Sequence, residues 1–493
     1  MRNKLILLIL CLLISVPCYA TDYYVDTATG DNGDSGLTSE LAWATLTYAC
    51  ANVPSGSHTV HVEAGTYNER ITESTSGSGV GSEIWYKGEN GWVKIYGMTV
   101  SGNYIKVTDF WAEDDDKMAP CTWATADWGY EITGDYIVLQ DCYSTLNGYA
   151  GMQITGSHVT ITGHESYQDG GTGINIVGTN VTVEESKIWD VRNNYCGDDG
   201  DGIKIITNSA SNSGIIIRHN QIISALYSDL TGGPHCDAIQ FANTNDTGDA
   251  IIDGNWIDYT GCGNYSGQAY SKFLEAEKVP RLTVINNVVQ AYEGIGSWDP
   301  QTTNDGWVVY NNVFVHDSTG LGQDASCDGN GTAIVVGNGS DDWKIKNNIF
   351  VDWPANHLSV GSGNTYDFDY NCYYDSDLGD PNCTGSYCEN TNDLYATDPK
   401  FTDYLGDDFT LASDSTLIGA GVDLGNGLLY GLDPTSTWPD NVKEVNQDDY
   451  GDWEIGAYAY IEAAELGGPG TIAGGGSGSI AGGGSGSTIG TAP

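Results

Sequence analysis

Four aspartates and two lysines in one stretch are the residues whose types and spacing could do chemistry. Asp198, Asp199 and Asp201 lie together, and Asp237 follows one structural repeat later. Carboxylates arriving from two adjacent strands, about 5 Å apart, could supply hard oxygen ligands to one calcium ion. Lys204 and Lys272 flank this cluster and are two of only 18 basic residues in the chain. A bound cation beside a lysine disfavours the ammonium form, which prepares the amine as a general base. His235 and Arg218 fall on neighbouring turns and could hold or polarise a carboxylate or hydroxyl. Such a set suits β-elimination on a uronate polymer, in which a cation on the sugar carboxylate acidifies the C5 proton and a base removes it.

The elements that position these residues are short, similar segments between about residues 150 and 375. Each ends with a recurring polar residue before an apolar pair: Ser186, Asn220, Asn255, Asn287, Asn312, Asn348 and Asn371. Their separations are 34, 35, 32, 25, 36 and 23 residues, which indicates a constant coil carrying loops of unequal length. Each segment opens on a period-2 run such as Gly173-Ile174-Asn175-Ile176 or Ala238-Ile239-Gln240-Phe241, with a middle strand such as Asn180-Val181-Thr182-Val183. Three short strands per repeat, without Asn-Gly hairpin turns, predict an all-β solenoid, a right-handed single-stranded parallel β-helix. The recurring Asn should stack on itself as a structural ladder.

In that register Asp201, Asp237 and Lys272 stack just before the floor of one face. Asn175, Lys204, Gln240 and Glu275 form the next outward row, so Gln240 and Glu275 become candidate substrate contacts. The longest loops, 189–200, 226–236 and 259–271, would wall a groove above that floor. Two carboxylates such as Asp201 and Asp237, or Asp199 and Asp237, could equally flank a glycosidic bond in a metal-free hydrolase. The chain holds 31 Tyr and 14 Trp, several in these loops, including Trp189, Tyr195 and Trp298. Aromatics at a groove suit sugar stacking.

Residues 1–20 carry Arg2 and Lys4, an apolar run from Leu5 to Val16, and Ala20. This predicts a secretory signal cleaved after Ala20, followed by a β-helix domain over 21–463 and a flexible Gly/Ser-rich tail over 464–493. No later stretch is long and apolar enough to span a bilayer. The 66 acidic against 18 basic residues give a net charge of −48, which excludes nucleic acid and anionic lipid as natural partners. A polyanionic substrate would need a bridging cation. Ten cysteines follow the signal, and Cys196, Cys236 and Cys262 fall in equivalent loops, so disulfides between coils are expected, with a local Cys383–Cys388 pair. Glu113 to Asp116 form an acidic turn, otherwise a surface calcium site.

The two ends carry a family resemblance. The opening stretch, Asp22-Tyr23-Tyr24-Val25-Asp26, Ala42-Trp43-Ala44-Thr45-Leu46 and Thr59 to Tyr67, reads as strand, loop, a short helix near 40–51 and strand. A helix there would cover the open end of a solenoid. With Asp398-Pro399-Lys400-Phe401 and Glu454-Ile455-Gly456-Ala457-Tyr458 at the far end, it resembles secreted bacterial β-helix proteins of the pectin-lyase-like superfamily, including the family-9 pectate lyases. Asp198-Asp199-Gly200 is similar to the paired-aspartate turn of those lyases. The resemblance implies aspartates on calcium and a lysine base, hence a calcium-dependent lyase on acidic polysaccharide, and a monomer is expected. A non-catalytic glycan-binding or adhesive surface protein remains the other class.

Overall fold

In a computed structural model, the structure describes residues 20–114, 127–191, 200–206, 213–223, 236–242, 248–259, 271–277, 279–296, 304–316, 331–354, 356–375, 390–425 and 428–462. Strands dominate, and they pair in parallel along the solenoid. One sheet has 24 strands and a second has 11. The larger sheet contains two of the three faces of the coil. They are joined at the twelve-residue strand Ile84–Ile95, whose first half pairs with Ile105–Thr108 and whose second half pairs with Phe110–Glu113. The interior is a continuous column of Ile, Val, Leu and aromatic side chains, such as Ile203, Ile239, Leu274 and Ile295 stacked on successive coils.

The corner between the two faces of the larger sheet shows why one polar residue recurs. The residue before it takes the left-handed backbone conformation in coil after coil, at Glu185, His219, Asn286, Asn311, Asn347 and Tyr370, and at Gly254. Three of these are Asn, which tolerates that bend better than most residues. The next residue then turns inward. The Oδ1 atoms of Asn255, Asn287, Asn312, Asn348 and Asn371 accept the backbone N–H of Asn220, Asn255, Asn287, Asn312 and Asn348, at 2.9–3.1 Å. Each amide Nδ2 donates to a carbonyl of the preceding coil, for example Asn287 to Ile252 at 3.0 Å. Buried backbone groups freed by the bend are thereby satisfied. Upstream, Ser186 donates its N–H to Asn220 and its hydroxyl accepts the N–H of His164, and the ladder ends at Asp393, which accepts from Asn371.

A second apolar cluster lies outside the coil. Val288, Val313, Ile349 and Cys372 form one outward row on the ladder face, and Phe409, Leu417, Leu432 and Ile455 from the C-terminal part pack over them. Upstream, the same row is Lys187, Gln221 and Trp256. The apolar pairs that follow Asn287, Asn312 and Asn348 therefore have two partners, the core inside and the C-terminal segment outside.

At the N-terminal end, strand Thr21–Val25 pairs with His58–Thr66. The stretch expected to be one helix is a 3₁₀ turn at Ser39–Leu41 and a helix, α1, at Leu46–Asn52. The Glu69 carboxylate accepts the N–H groups of Leu46 and Thr47, at 3.2 and 2.8 Å, at the start of α1. Leu46, Ala49 and Cys50 join the core. Cys50, Cys142 and Cys372 are buried thiols, and the described residues form no disulfide. Each expected pair includes Cys196, Cys262, Cys383 or Cys388, which lie outside the described residues. Asp114 of the acidic turn is ion-paired to Arg70 at 3.2 Å, a structural use of that carboxylate. No described helix is long and apolar enough to cross a membrane.

Candidate functional site

The eleven-stranded face carries the residues of interest. We label five of its consecutive strands β1 (Thr172–Ile176), β2 (Asp201–Ile206), β3 (Cys236–Ala242), β4 (Ser271–Ala276) and β5 (Glu293–Gly296). Their register places Asp237 beside Lys272 and Lys272 beside Glu293. Because Ile203 pairs with Ile239, Asp201 falls in the same row. The next row runs Asn175, Lys204, Gln240, Glu275. Both rows match the stacking read from the sequence.

In a regular strand, residues i and i+3 point to opposite faces. Here Phe273 and Leu274 are both fully buried in the core, and so are Ala238 and Ile239. Strict alternation is broken at that point, so Lys272 and Glu275 share the outer side. The consequence is direct: Lys272 Nζ donates to Glu275 Oε2 at 2.7 Å and lies 3.8 Å from Glu293 Oε2. The same geometry recurs in β2, where Lys204 Nζ is 3.1 Å from Asp201 Oδ2. Asp201 Oδ1 also accepts the backbone N–H of Asp237 at 3.0 Å, and Gln240 Nε2 reaches Asp237 Oδ2 at 3.4 Å.

These groups are buried, with Lys272 only 7% exposed and Asp201 and Asp237 at 0%. Burial disfavours the Lys272 ammonium, but Glu275, Asp237 and Glu293 outweigh it and hold the pKa above the usual lysine range. Burial pushes the Glu293 carboxyl up, Lys272 pulls it back, and Asp237 and Glu275 push it up again. The floor thus holds a charged lysine among three carboxylates, one of which is displaced towards its neutral form.

Not every candidate arrives here. Arg218 ends the middle strand Ile216–Arg218 on the larger sheet, paired in register with Glu184 and Asp253. Its guanidinium is held by Glu184 at 2.6 Å, so the substrate-holding role expected for it is corrected to a structural ion pair on another face. Asp198, Asp199 and His235 lie outside the described residues, as do Tyr195 and Trp298. Trp189 is described, and it stacks on Tyr167 at 3.9 Å on the ladder face. Glu293 was missed. Its signal was present: Glu293-Gly294-Ile295 repeats the acid, small residue, Ile order of Asp201-Gly202-Ile203 and Asp237-Ala238-Ile239.

Asp201 and Asp237 have the donor chemistry calcium prefers and arrive from adjacent strands. Among the described residues, no three carboxylate, histidine or cysteine side chains converge as metal ligands.

No family model matches the chain, and no curated protein matches it in sequence. Similar solved structures include the pectate lyase Pel9A, at TM-score 0.48 and 19% identity, covering 82% of this chain and 92% of that chain. A PL6 alginate lyase in complex with a trisaccharide is similar at 0.45 and 14%, over 72% and 85% of the two chains. So is PfbA, a surface adhesin of Streptococcus pneumoniae, at 0.41 and 11%, over 65% and 85%. The fold is a parallel β-helix. Likenesses of this degree assign no residue role and no substrate to the chain.

Proposed function

We propose that this is a secreted, carbohydrate-active protein, a calcium-dependent lyase that cleaves a uronate-containing polysaccharide by β-elimination. The observation that carries the reading is Lys272, a buried lysine set among Asp237, Glu275 and Glu293 on the outer side of the floor. Lys272 is assigned as the base that takes the C5 proton, with Lys204 as the second candidate; its carboxylate neighbours hold it protonated, so it would serve as base only once calcium on Asp237 offsets them. The electron pair forms the C4–C5 double bond, the C4–O bond breaks, and the leaving oxygen takes a proton. Glu293, one strand further along and displaced towards its protonated form, is assigned to supply that proton. Calcium held by Asp201 and Asp237 with Asp198 and Asp199 would neutralise the sugar carboxylate. Gln240 and Glu275 on the neighbouring row, with His235, are assigned to substrate contacts.

The test is growth of ultraviolet absorbance from unsaturated uronate products on pectate, alginate and related polymers. Chelator and Lys272→Ala should each abolish it. Calorimetry of calcium into stripped protein, beside Asp199→Ala/Asp237→Ala, checks the metal separately. A site absent from wild type, or indifferent to those aspartates, sinks the calcium assignment.

One observation favours a second reading, a non-catalytic glycan-binding protein. Both floor lysines are neutralised within their own strands, Lys204 by Asp201 and Lys272 by Glu275. Retention of polymer without unsaturated products or new reducing ends would decide for it. Asp201 and Asp237 as a hydrolase pair are disfavoured, because both are fully buried and Asp201 is engaged by the Asp237 backbone, whereas Asp199 of the other pair lies outside the described residues.

A further inference from the structure

We infer that the upstream half of the ladder face is a second glycan-binding surface, which takes an extended acidic polysaccharide across the coils. The eleven-stranded face takes no part in it. One outward row runs Lys94, Trp111, Tyr143, Glu165, Lys187 on five successive strands. Beside it, Thr145, Tyr167 and Trp189 form a second row. The interior positions between these residues are Ala112, Ser144, Ser166 and Ile188, so the rings stand on the outer side. They gather in two groups. Trp111 meets Tyr143 at 5.0 Å and Trp92 at 6.3 Å, and Tyr167 stacks on Trp189 at 3.9 Å. Trp92 is 43% exposed, and the other rings are part-exposed.

Two contrasts argue for a sugar polymer as the occupant. Downstream on the same row, the outward residues become Val288, Val313 and Ile349, and the chain's own C-terminal segment covers them. Aliphatic side chains suit an apolar protein partner. Upstream, large rings alternate with charged groups, which suits a pyranose with its apolar faces and polar rim. The second contrast is charge. In a chain of net charge −48, Lys94 lies 3.6 Å over the Trp111 ring and Lys187 4.5 Å over Trp189. Neither lysine pairs with a carboxylate among the described residues, whereas Lys204 and Lys272 both do. Of the carboxylates on these two rows, Glu165 is bonded by the Trp189 indole at 2.8 Å, and Glu113 stands beside Thr145. Two cations on aromatic rings are complementary to uronate carboxylates on a stacked chain. The strip spans four strand steps, about 19 Å at about 4.8 Å each, enough for several sugar residues.

The acidic nature of the polymer rests on the function proposed above, whereas the stacking surface does not. The experiment is affinity electrophoresis in gels holding polygalacturonate or alginate, with xylan and mannan gels as neutral counterparts. Trp92→Ala, and separately Lys94→Gln/Lys187→Gln, are compared with wild type in a Lys272→Ala background, so that no polymer is consumed. The expected result is retention by the acidic polymers weakened about tenfold in each variant, with thermal melting unchanged. Undiminished retention in both variants overturns the proposal, as does equal retention of wild type by neutral polymers. Failure of the lyase reading looks different: no unsaturated product from wild type, with strip-dependent retention intact.

Discussion

Lys272 and Glu275, three residues apart on one strand, are ion-paired at 2.7 Å because Phe273 and Leu274 between them both enter the core. A strand that kept its alternation would separate them. The pair, with Glu293 and Asp237 on the adjoining strands, sets Lys272 against three carboxylates on this face.

Removing it should therefore cost stability as well as activity. Lys272→Ala leaves Glu275, Asp237 and Glu293 without their shared cation, and breaking a buried pair on one side typically costs about 3–5 kcal/mol. We expect a loss of that order in urea unfolding at neutral pH, shrinking in acid as the carboxylates protonate. Lys272→Met/Glu275→Leu, which removes both members, should recover much of it. Equal stability of Lys272→Ala and wild type would show that the ion pair contributes nothing to the fold.

The asparagine ladder makes a sharper demand. Asn287 accepts the N–H of Asn255, donates to Ile252 O, and passes its own N–H to Asn312. Asn287→Ala leaves the Asn255 N–H and the Ile252 carbonyl in the interior without these partners, at about 1–3 kcal/mol for each group. The urea midpoint should fall accordingly. Because neighbouring coils stabilise each other in one dimension, faster hydrogen exchange should be centred on the coils either side. Uniform acceleration along the solenoid would contradict a local ladder.

The ladder was legible in the sequence because one residue type recurs beside an apolar pair, whatever the loop length. The stacking of Asp201, Asp237 and Lys272 followed from aligning short β-branched runs. Arg218 was misplaced because spacing along the chain gives a coil number, not which of three faces a side chain leaves. Glu293 escaped notice because Glu-Gly-Ile-Gly lacks the bulky alternation that marks a strand. The outer cover was hidden because its contacts are remote and irregular: Trp438 Nε1 donates to Gly254 O across 184 residues.

That cover yields the third prediction. Trp438 also packs on Trp256, with ring centroids 5.3 Å apart, and the C-terminal segment shields Val288, Val313 and Ile349. Trp438 is half-buried, so Trp438→Ala should lower stability by roughly 2 kcal/mol, less than truncation of a fully buried aromatic. Deleting residues 398–493 should expose the apolar row, producing binding of a hydrophobic dye and self-association. A truncated protein that stays monomeric and dye-negative would mean the cover is dispensable.

The last prediction concerns pH and a polar cluster sealed inside the coil. Asp169 accepts from Ser144 Oγ, Ser166 Oγ and both nitrogens of Asn147, yet burial still raises its pKa to about 6. His164 Nε2 lies 3.2 Å from the same Ser144 hydroxyl, and burial lowers its pKa to about 3. The two act in opposite directions. For Asp169 the folded form holds its proton more tightly than the unfolded chain, so stability falls as pH rises from the unfolded value of 3.8 to about 6. For His164 the unfolded chain takes the proton first, so stability is lost as pH falls from 6.5 to about 3. Across the shared window the slopes largely cancel, and the wild-type profile conceals both. The difference between variants reveals them. Asp169→Asn removes one slope, so its stability relative to wild type should climb by about 2 kcal/mol between pH ~4 and pH ~6. Unfolding free energies measured across that window decide the matter: a constant difference would mean that Asp169 is ionised in the folded protein at the same pH as in the unfolded chain.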